Sequence, residues 1–249
     1  GGEVTNSFSL SGIEGYDAVY QKRYGEFIRS SSEGKIAIPE RSVVQFPKIG
    51  KYSEFTLQLL GVRYVAHRIS DGRYVWAYPY WQFPYYTSIY RDNYYEVFKN
   101  EKALPRAFLA SSYIIADSDK NIIDALYQKE FDPRETLVLE REPLLKSRSG
   151  EGSVEITKYT ANEVILQSKS DVPKLLFLSD VYDDGWRATV DKEEARIDRA
   201  DYDFRAVAVP PGEHTIRFVY WPKSFVYGLW IAVIGAGLLA GFAFRLRKL

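Results

Sequence analysis

The chain has 249 residues, enough for one large or two ordinary domains, and its 33 Lys plus Arg are matched by 33 Asp plus Glu. That balance leaves no basic excess to draw it onto nucleic acid, and the absence of Cys excludes disulfides, thiolate zinc sites and Cys nucleophiles. Tyr numbers 20 and aromatic residues reach 16%, a surplus that needs either a large core or a binding surface.

The first 30 residues contain no apolar run of signal-peptide type, and there is no Met anywhere. With a membrane anchor at the other end, this leads to the expectation that the chain is the tail of a longer one. The alternative is a tail-anchored protein whose initiator Met was removed. From Asp17 to Arg29 the spacing of Tyr16, Tyr20, Tyr24 and Phe27 predicts a helix. LLGVRYVAHR at 59–68 and LPRAFLASSYIIA at 104–116 read as strands. Asn121 to Lys129 reads as a short helix with Asp117, Ser118 and Asp119 available as caps, and TLVLE at 136–140 as another strand. Strand, helix, strand in that order points to a small α/β unit.

Residues 147–153, SRSGEGS, are the best linker candidate. Beyond them, about seven short apolar-polar alternations run through 154–222, among them EVILQS at 163–168, ARIDR at 195–199, FRAVAV at 204–209 and HTIRFVY at 214–220. KLLFL at 174–178 is apolar after its Lys, and Pro210-Pro211-Gly212-Glu213 is a turn of hairpin length. This pattern predicts an antiparallel β-sandwich. The fold class expected is therefore α+β: a mixed α/β region over 1–146, a linker, the sandwich over 154–222, then one transmembrane helix.

That helix is FVYGLWIAVIGAGLLAGFAF at 225–244, twenty residues without a charge, about 30 Å long at 1.5 Å per residue. Tyr227 and Trp230 stand near one end, and Arg245, Arg247 and Lys248 follow the other. The positive-inside rule puts the tail at 245–249 in the cytoplasm and residues 1–222 outside, so the lipid bilayer is the first expected partner. Gly237 and Gly241, with Gly235 nearby, have the small-xxx-small spacing that lets a partner helix approach, although Gly is common in membrane helices generally.

Several segments together resemble the closing portion of the YfhO-like bacterial membrane proteins. They are GYDAVYQKRYGEF at 15–27, LLGVRYV at 59–65, ALPRAF at 103–108, KYTANEVIL at 158–166, LSDVYDDGWRATVD at 178–191 and YDFRAVAVPPGEHTIRFVYWPKSF at 202–225. The resemblance implies a multi-pass GT-C-type glycosyltransferase that uses a polyprenyl-phosphate-linked sugar to glycosylate envelope glycopolymers such as teichoic acids. It implies that the catalytic carboxylate lies among N-terminal membrane helices absent from this sequence, so no catalytic residue is carried over and no cofactor is expected in the segment itself. Those helices, or a partner membrane protein, and the glycopolymer are the further partners implied. At 190–194, VDKEE lacks the Gly-containing turn that the family tends to have, which puts the hairpin geometry there in doubt.

Asp180, Asp183 and Asp184 precede Gly185-Trp186, with Asp201 and Asp203 in a later loop. Carboxylates are hard ligands for Ca²⁺ or Mg²⁺ and serve sugar chemistry, but D-x-x-D-D-G does not match an EF-hand loop. The plainer reading is a solvated turn bonding its own backbone, with Trp186 plugging the core. In RYVWAYPYWQFPYYTSIYRDNYY at 73–95, Tyr74, Trp76, Tyr78 and Tyr80 recur with period two, a row of rings suited to stacking on sugars or to filling a core. Arg106 suits a pyrophosphate or carboxylate, or a structural acid. His67 and His214 are the only histidines and have no zinc-ligand spacing, and no phosphate loop or hydrolase elbow is present. Two other classes stay open beside the accessory-domain reading: a single-pass carbohydrate-binding module, and a purely structural ectodomain.

Overall fold

The computed structural model describes residues 12–13, 20–39, 44, 46–47, 50–69 and 83–246, and over these the chain is α+β. Helix α1 spans Lys22–Ser30 and α2 spans Ser53–Leu59. Strands β1 (Tyr64–Arg68), β2 (Tyr86–Arg91) and β3 (Tyr95–Asn100) form an antiparallel sheet in the order β1-β3-β2 around Tyr86 and Phe98. The expected strand over 59–68 is corrected at its start. Leu59 closes α2, and Gly61, in the left-handed region at φ 65°, ends the helix by donating its N–H to the Gln58 carbonyl.

The expected strand over 104–116 is two, β4 (Ala107–Ala110) and β5 (Ser112–Ile115). They break at Ser111, where the N–H groups of Ser111 and Ser112 both donate to the Glu135 carbonyl. Helix α3 (Asp119–Leu126) follows, its first turn capped by the Ser118 hydroxyl, which accepts from the Asn121 N–H at 3.3 Å. Strand β6 (Thr136–Leu139) then lies parallel to β5, so β5-α3-β6 is the α/β unit expected, with the helix serving as the crossover that a parallel pair requires.

Eight strands follow where seven were expected: β7 (Gly152–Thr160), β8 (Glu163–Ser170), β9 (Lys174–Val181), β10 (Trp186–Val190), β11 (Glu193–Ala195), β12 (Ile197–Ala200), β13 (Phe204–Val209) and β14 (Gly212–Tyr220). The extra strand arises at Arg196, where the ARIDR run passes from one sheet to the other. One sheet is ordered β11-β10-β14-β8-β7 and the other β4-β9-β13-β12-β6-β5. Only Ser111 separates β4 from β5, so the two ends of the six-strand order lie within about 7 Å and that sheet curls back on itself. The second sheet takes strands from both sides of 147–153, so the regions of different sequence texture share one hydrogen-bonded structure.

The sheets face each other across Val164, Leu166, Leu176, Leu178, Val207, Ile216 and Phe218. On the other face of the six-stranded sheet, Leu175, Phe177, Phe204 and Ala206 pack against Phe27 and Ile28 of α1 and Ile122, Ile123 and Leu126 of α3. This explains why LLFL at 175–178 is apolar at every position: β9 is covered on both faces. Pro210-Pro211 is a turn between sheets and not a hairpin, because β13 and β14 lie in different sheets. Prolines lack the N–H that would continue a ladder. The VDKEE hairpin forms without glycine, with Asp191 and Lys192 at φ 52° and 75°. Bonds from elsewhere hold it: the Thr215 N–H donates to Asp191 Oδ1 at 2.8 Å and the Asp191 N–H to the Thr215 carbonyl at 2.9 Å.

Helix α4, Lys223–Leu246, is the one helix among the described residues long and apolar enough to cross a membrane, and none of its apolar stretch is buried against the rest of the protein. At 1.5 Å per residue it is about 36 Å long, sufficient for a hydrocarbon core of about 30 Å.

Candidate functional site at the helix-bearing end of the sandwich

Period-two alternation along β13 sends Phe204, Ala206 and Ala208 to the helix side and Arg205, Val207 and Val209 into the sandwich. Arg205 is therefore a guanidinium inside an apolar layer, 2% exposed. It lies 4.0 Å over the Trp186 ring and 5.3 Å from that of Phe218, and its Nη2 reaches Asp180 Oδ2 at 2.8 Å. Burial pulls its pKa down while Asp180 opposes that pull. The other Asp180 oxygen accepts from Arg106 Nη1 and from the Tyr159 hydroxyl, each at 2.9 Å, and Arg106 also donates to Tyr159. Burial first, then the Asp180 charge, pushes the Tyr159 phenol up to about 12.

The loop from β9 to β10 sits beside this cluster. The Gly185 N–H donates to Asp183 Oδ1 at 2.8 Å and the Trp186 N–H to the Asp183 carbonyl at 3.1 Å, so Asp183 closes its own turn. Its second oxygen accepts from Gln21 Nε2 at 3.2 Å. Asp184 is exposed and stands by the Tyr182 hydroxyl, whose pKa is raised by burial and then by that carboxylate. A second buried group lies in the turn between β12 and β13. Asp201 Oδ1 accepts the Val138 N–H at 2.8 Å while the Asp201 N–H donates to the Val138 carbonyl, so the side chain extends the ladder between β6 and β12. Burial pushes Asp201 up to about 8 and Asp203 up to about 7.

The structure thus brings Arg106 and Asp180 into one ion pair, places Asp183 in the adjoining turn, and leaves Asp184 on the rim. Tyr74, Trp76, Tyr78 and Tyr80 lie outside the described residues. Arg205 and Tyr159 were not singled out from the sequence. The signal for Arg205 was present, since it shares a period-two face with Val207 and Val209. Tyr159 carried none, because its partners are 21 and 53 residues away. Both oxygens of Asp180 are engaged, so it is a positioned counter-ion and not a free base. Among the described residues, no group of three or more His, Asp or Glu side chains is placed to hold a metal ion.

The cluster is joined to α4. The Trp186 and Tyr220 rings are 5.2 Å apart, the Trp221 N–H donates to the Gly185 carbonyl at 2.8 Å, and Trp221 meets Phe225 edge-on at 5.8 Å. Gly185 fits here because a Cβ would come within 2.6 Å of the Tyr220 ring and 3.0 Å of Pro222. The sandwich end and the helix start are one packed unit.

Compared with known proteins, residues 145–232 match the sequence model of the family described as bacterial membrane protein YfhO. The match covers about a third of the chain, from just before β7 into α4. No curated protein and no solved structure matches the chain. The C-terminal portion is YfhO-like, and with the bare apolar helix this associates the chain with a membrane.

Proposed function

From a YfhO-like C-terminal portion that ends in a membrane helix, we propose that this chain is the extracytoplasmic accessory domain and last span of a glycosyltransferase. The parent enzyme takes sugar from a polyprenyl-phosphate carrier and adds it to cell-envelope polymers, teichoic acids among them. The observation that carries this reading is the packed junction of Gly185, Trp186, Tyr220 and Trp221, which holds the sandwich against the start of α4 with no flexible linker between. A domain fixed in this way sits at the bilayer surface, where an acceptor polymer meets a lipid-linked donor. The basic residues Arg245, Arg247 and Lys248 favour a cytoplasmic C-terminus and an outer sandwich. Chemistry then belongs to the membrane-embedded part of the parent, in keeping with an Asp180 whose two oxygens are both engaged by side-chain donors.

The test is deletion of residues 1–222 from the parent enzyme, retaining α4, with glycosylation of the envelope polymer as readout. The proposal expects polymer glycosylation to fall while the membrane core still transfers sugar to a small soluble acceptor. Unchanged polymer glycosylation contradicts it.

A second reading, a carbohydrate-binding ectodomain, is favoured by Tyr64, Tyr90 and Tyr95 on the three-stranded sheet and Tyr94 in its β2–β3 turn, all exposed. Flat rings with polar tips stack on sugars. Saturable binding of purified envelope polymer by the chain alone, lost on changing Tyr90 and Tyr95 to Ala, distinguishes it.

A further inference from the structure

Two turns of the sandwich meet at one imidazole. Period two places His214 in the inner row of β14 with Ile216 and Phe218, at the row's outer end. On one side is the β10–β11 turn, where His214 Nδ1 lies 2.6 Å from Asp191 Oδ2. On the other is the β13–β14 turn, where Nε2 lies 3.1 Å from the Pro211 carbonyl oxygen. Both turns are shaped around the ring. Asp191 stands at φ 52° in a hairpin without glycine, and its second carboxylate oxygen takes the Thr215 N–H. Gly212, at φ 123°, lets the other turn pass close by, since a Cβ there would come within 3.1 Å of Nε2.

A carbonyl oxygen can only accept, and so can an ionised carboxylate. The bond from His214, and after it the Thr215 N–H, hold the Asp191 carboxyl below its usual range, so it is ionised at neutral pH. A neutral imidazole has one N–H and one lone pair, whereas the imidazolium has two N–H groups. Only the cation donates to both turns at once. The bond to Asp191 favours that cation, partial burial opposes it and the Pro211 carbonyl supports it, which together raise the His214 pKa above the ordinary 6.5. The remaining charges at this end have other engagements or stand further along the edge. Glu193 and Glu194 of β11 line the same recess, as does Asp198 of β12, which is paired with Arg196 at 2.9 Å. On β8 the residue opposite His214 is the uncharged Ser168, and the next rung is the Glu213–Lys169 pair at 2.7 Å. Ala208, Pro210, Leu144 and Leu145 complete the surroundings with apolar groups.

When the ring loses its proton, one of the two bonds must go. A hydrogen bond to a carboxylate is roughly twice as strong as one between neutral groups, so the remaining N–H stays on Nδ1 with Asp191. The Nε2 lone pair then faces the Pro211 carbonyl, and two acceptors repel. We propose that protonated His214 is a clasp joining the β13–β14 turn to the β10–β11 turn, and that its deprotonation releases the first turn while the second stays held. The sign follows from the charged form being favoured in the fold. The clasp is fully closed below about pH 6.5, the value in the unfolded chain, and opens as pH rises through the raised native value. The inference does not depend on the function proposed above, because six residues of β14, roughly 20 Å at 3.3 Å per residue, separate His214 from Tyr220 at the α4 junction.

The test is nitrogen NMR of the full chain in detergent with labelled imidazole rings, together with amide hydrogen exchange. His67 and His214 are the only histidines, and the signal lost in His214→Asn identifies the second. The proposal expects His214 to carry two N–H groups in acid, to titrate above 6.5 and to become the Nδ1–H tautomer when neutral. Across that titration the protection of the Gly212–His214 amides should fall about tenfold, while that of Asp191–Glu194 changes less than about twofold. In His214→Asn the side-chain amide nitrogen takes the place of Nδ1 and does not titrate, so this variant should show a released β13–β14 turn and a held β10–β11 turn at every pH. A His214 midpoint below 6.5, a neutral ring protonated on Nε2, or a β13–β14 turn whose protection ignores the titration overturns the proposal. So does equal loosening of both turns, or a His214→Asn protein whose Gly212 and Glu213 amides still follow pH as in the wild type.

Discussion

Asp201→Asn should stabilise the protein at neutral and alkaline pH and leave it nearly unchanged at pH 4 to 5. In the native state the Asp201 carboxyl is fully buried, with one oxygen accepting the Val138 N–H and the other without a partner among the described residues, and its pKa is pushed up to about 8 from 3.8. A carboxyl with a raised native pKa binds a proton on folding wherever the unfolded chain has already lost it. Stability is therefore highest below about pH 4 and falls as pH rises towards 8, by up to about 1.4 kcal/mol per unit. At pH 7 the accumulated cost is about 4 kcal/mol at most. Asn keeps the acceptor for Val138, removes the titration and leaves a buried amide that retains part of the desolvation penalty, so the expected gain is about 2–4 kcal/mol. For a chain of this size that is at least about 4 °C in Tm. The assay is thermal unfolding by circular dichroism in detergent at pH 5 and pH 8, wild type against variant; every other titrating group, including Asp203 and His214, is common to both. Equal pH dependence in the two proteins, or a variant weakened at both pH values, refutes the reasoning.

Two further outcomes follow from the same geometry. Arg205→Met should destabilise by about 3 kcal/mol or more, because Asp180 loses one of its buried partners. Adding Asp180→Leu should recover part of that loss, and a double-mutant cycle by chemical denaturation measures the coupling. Lys192→Gly should raise stability by roughly 0.5–1 kcal/mol, since Lys192 sits at φ 75°, where a Cβ is costly and glycine is not. A lower denaturation midpoint for this variant would mean that the bonds at Asp191 depend on Lys192.

Much of the architecture could be read from local pattern. β9 was legible as a strand covered on both faces because all four residues of LLFL at 175–178 are apolar, and the Ser118 cap and the α3 pattern announced that helix. What period two does not encode is which sheet a strand joins. The alternation runs through Ser111 and through Arg196 unbroken, yet at each the chain changes its pairing partner, and the carbonyl that terminates β4 belongs to Glu135. Helix α2 was missed because seven residues of SEFTLQL make a marginal helix, held here by tertiary contacts such as the Tyr52–Tyr127 stack at 4.2 Å. Arg106 and Asp180 were legible as candidates; Arg106 pairs with a structural acid, whereas Asp180 lies in β9 and is held by Arg106, Tyr159 and Arg205 instead of closing a solvated turn. Asp201 and Asp203 read as a polar turn. Their burial comes from α1, where Glu26 accepts from the Tyr202 hydroxyl at 2.9 Å across 176 residues, and from the edge of β6.

The central claim is that α4 crosses a bilayer with the sandwich seated on its outer face. The chain itself has no Cys, so an introduced thiol is unique within it. Lys192→Cys in the β10–β11 turn and Leu249→Cys, each placed in a parent protein cleared of any other Cys and expressed in intact cells, are treated with a membrane-impermeant maleimide. The account expects position 192 to label at once and position 249 only after permeabilisation. Labelling of both in intact cells, or of 249 alone, contradicts it.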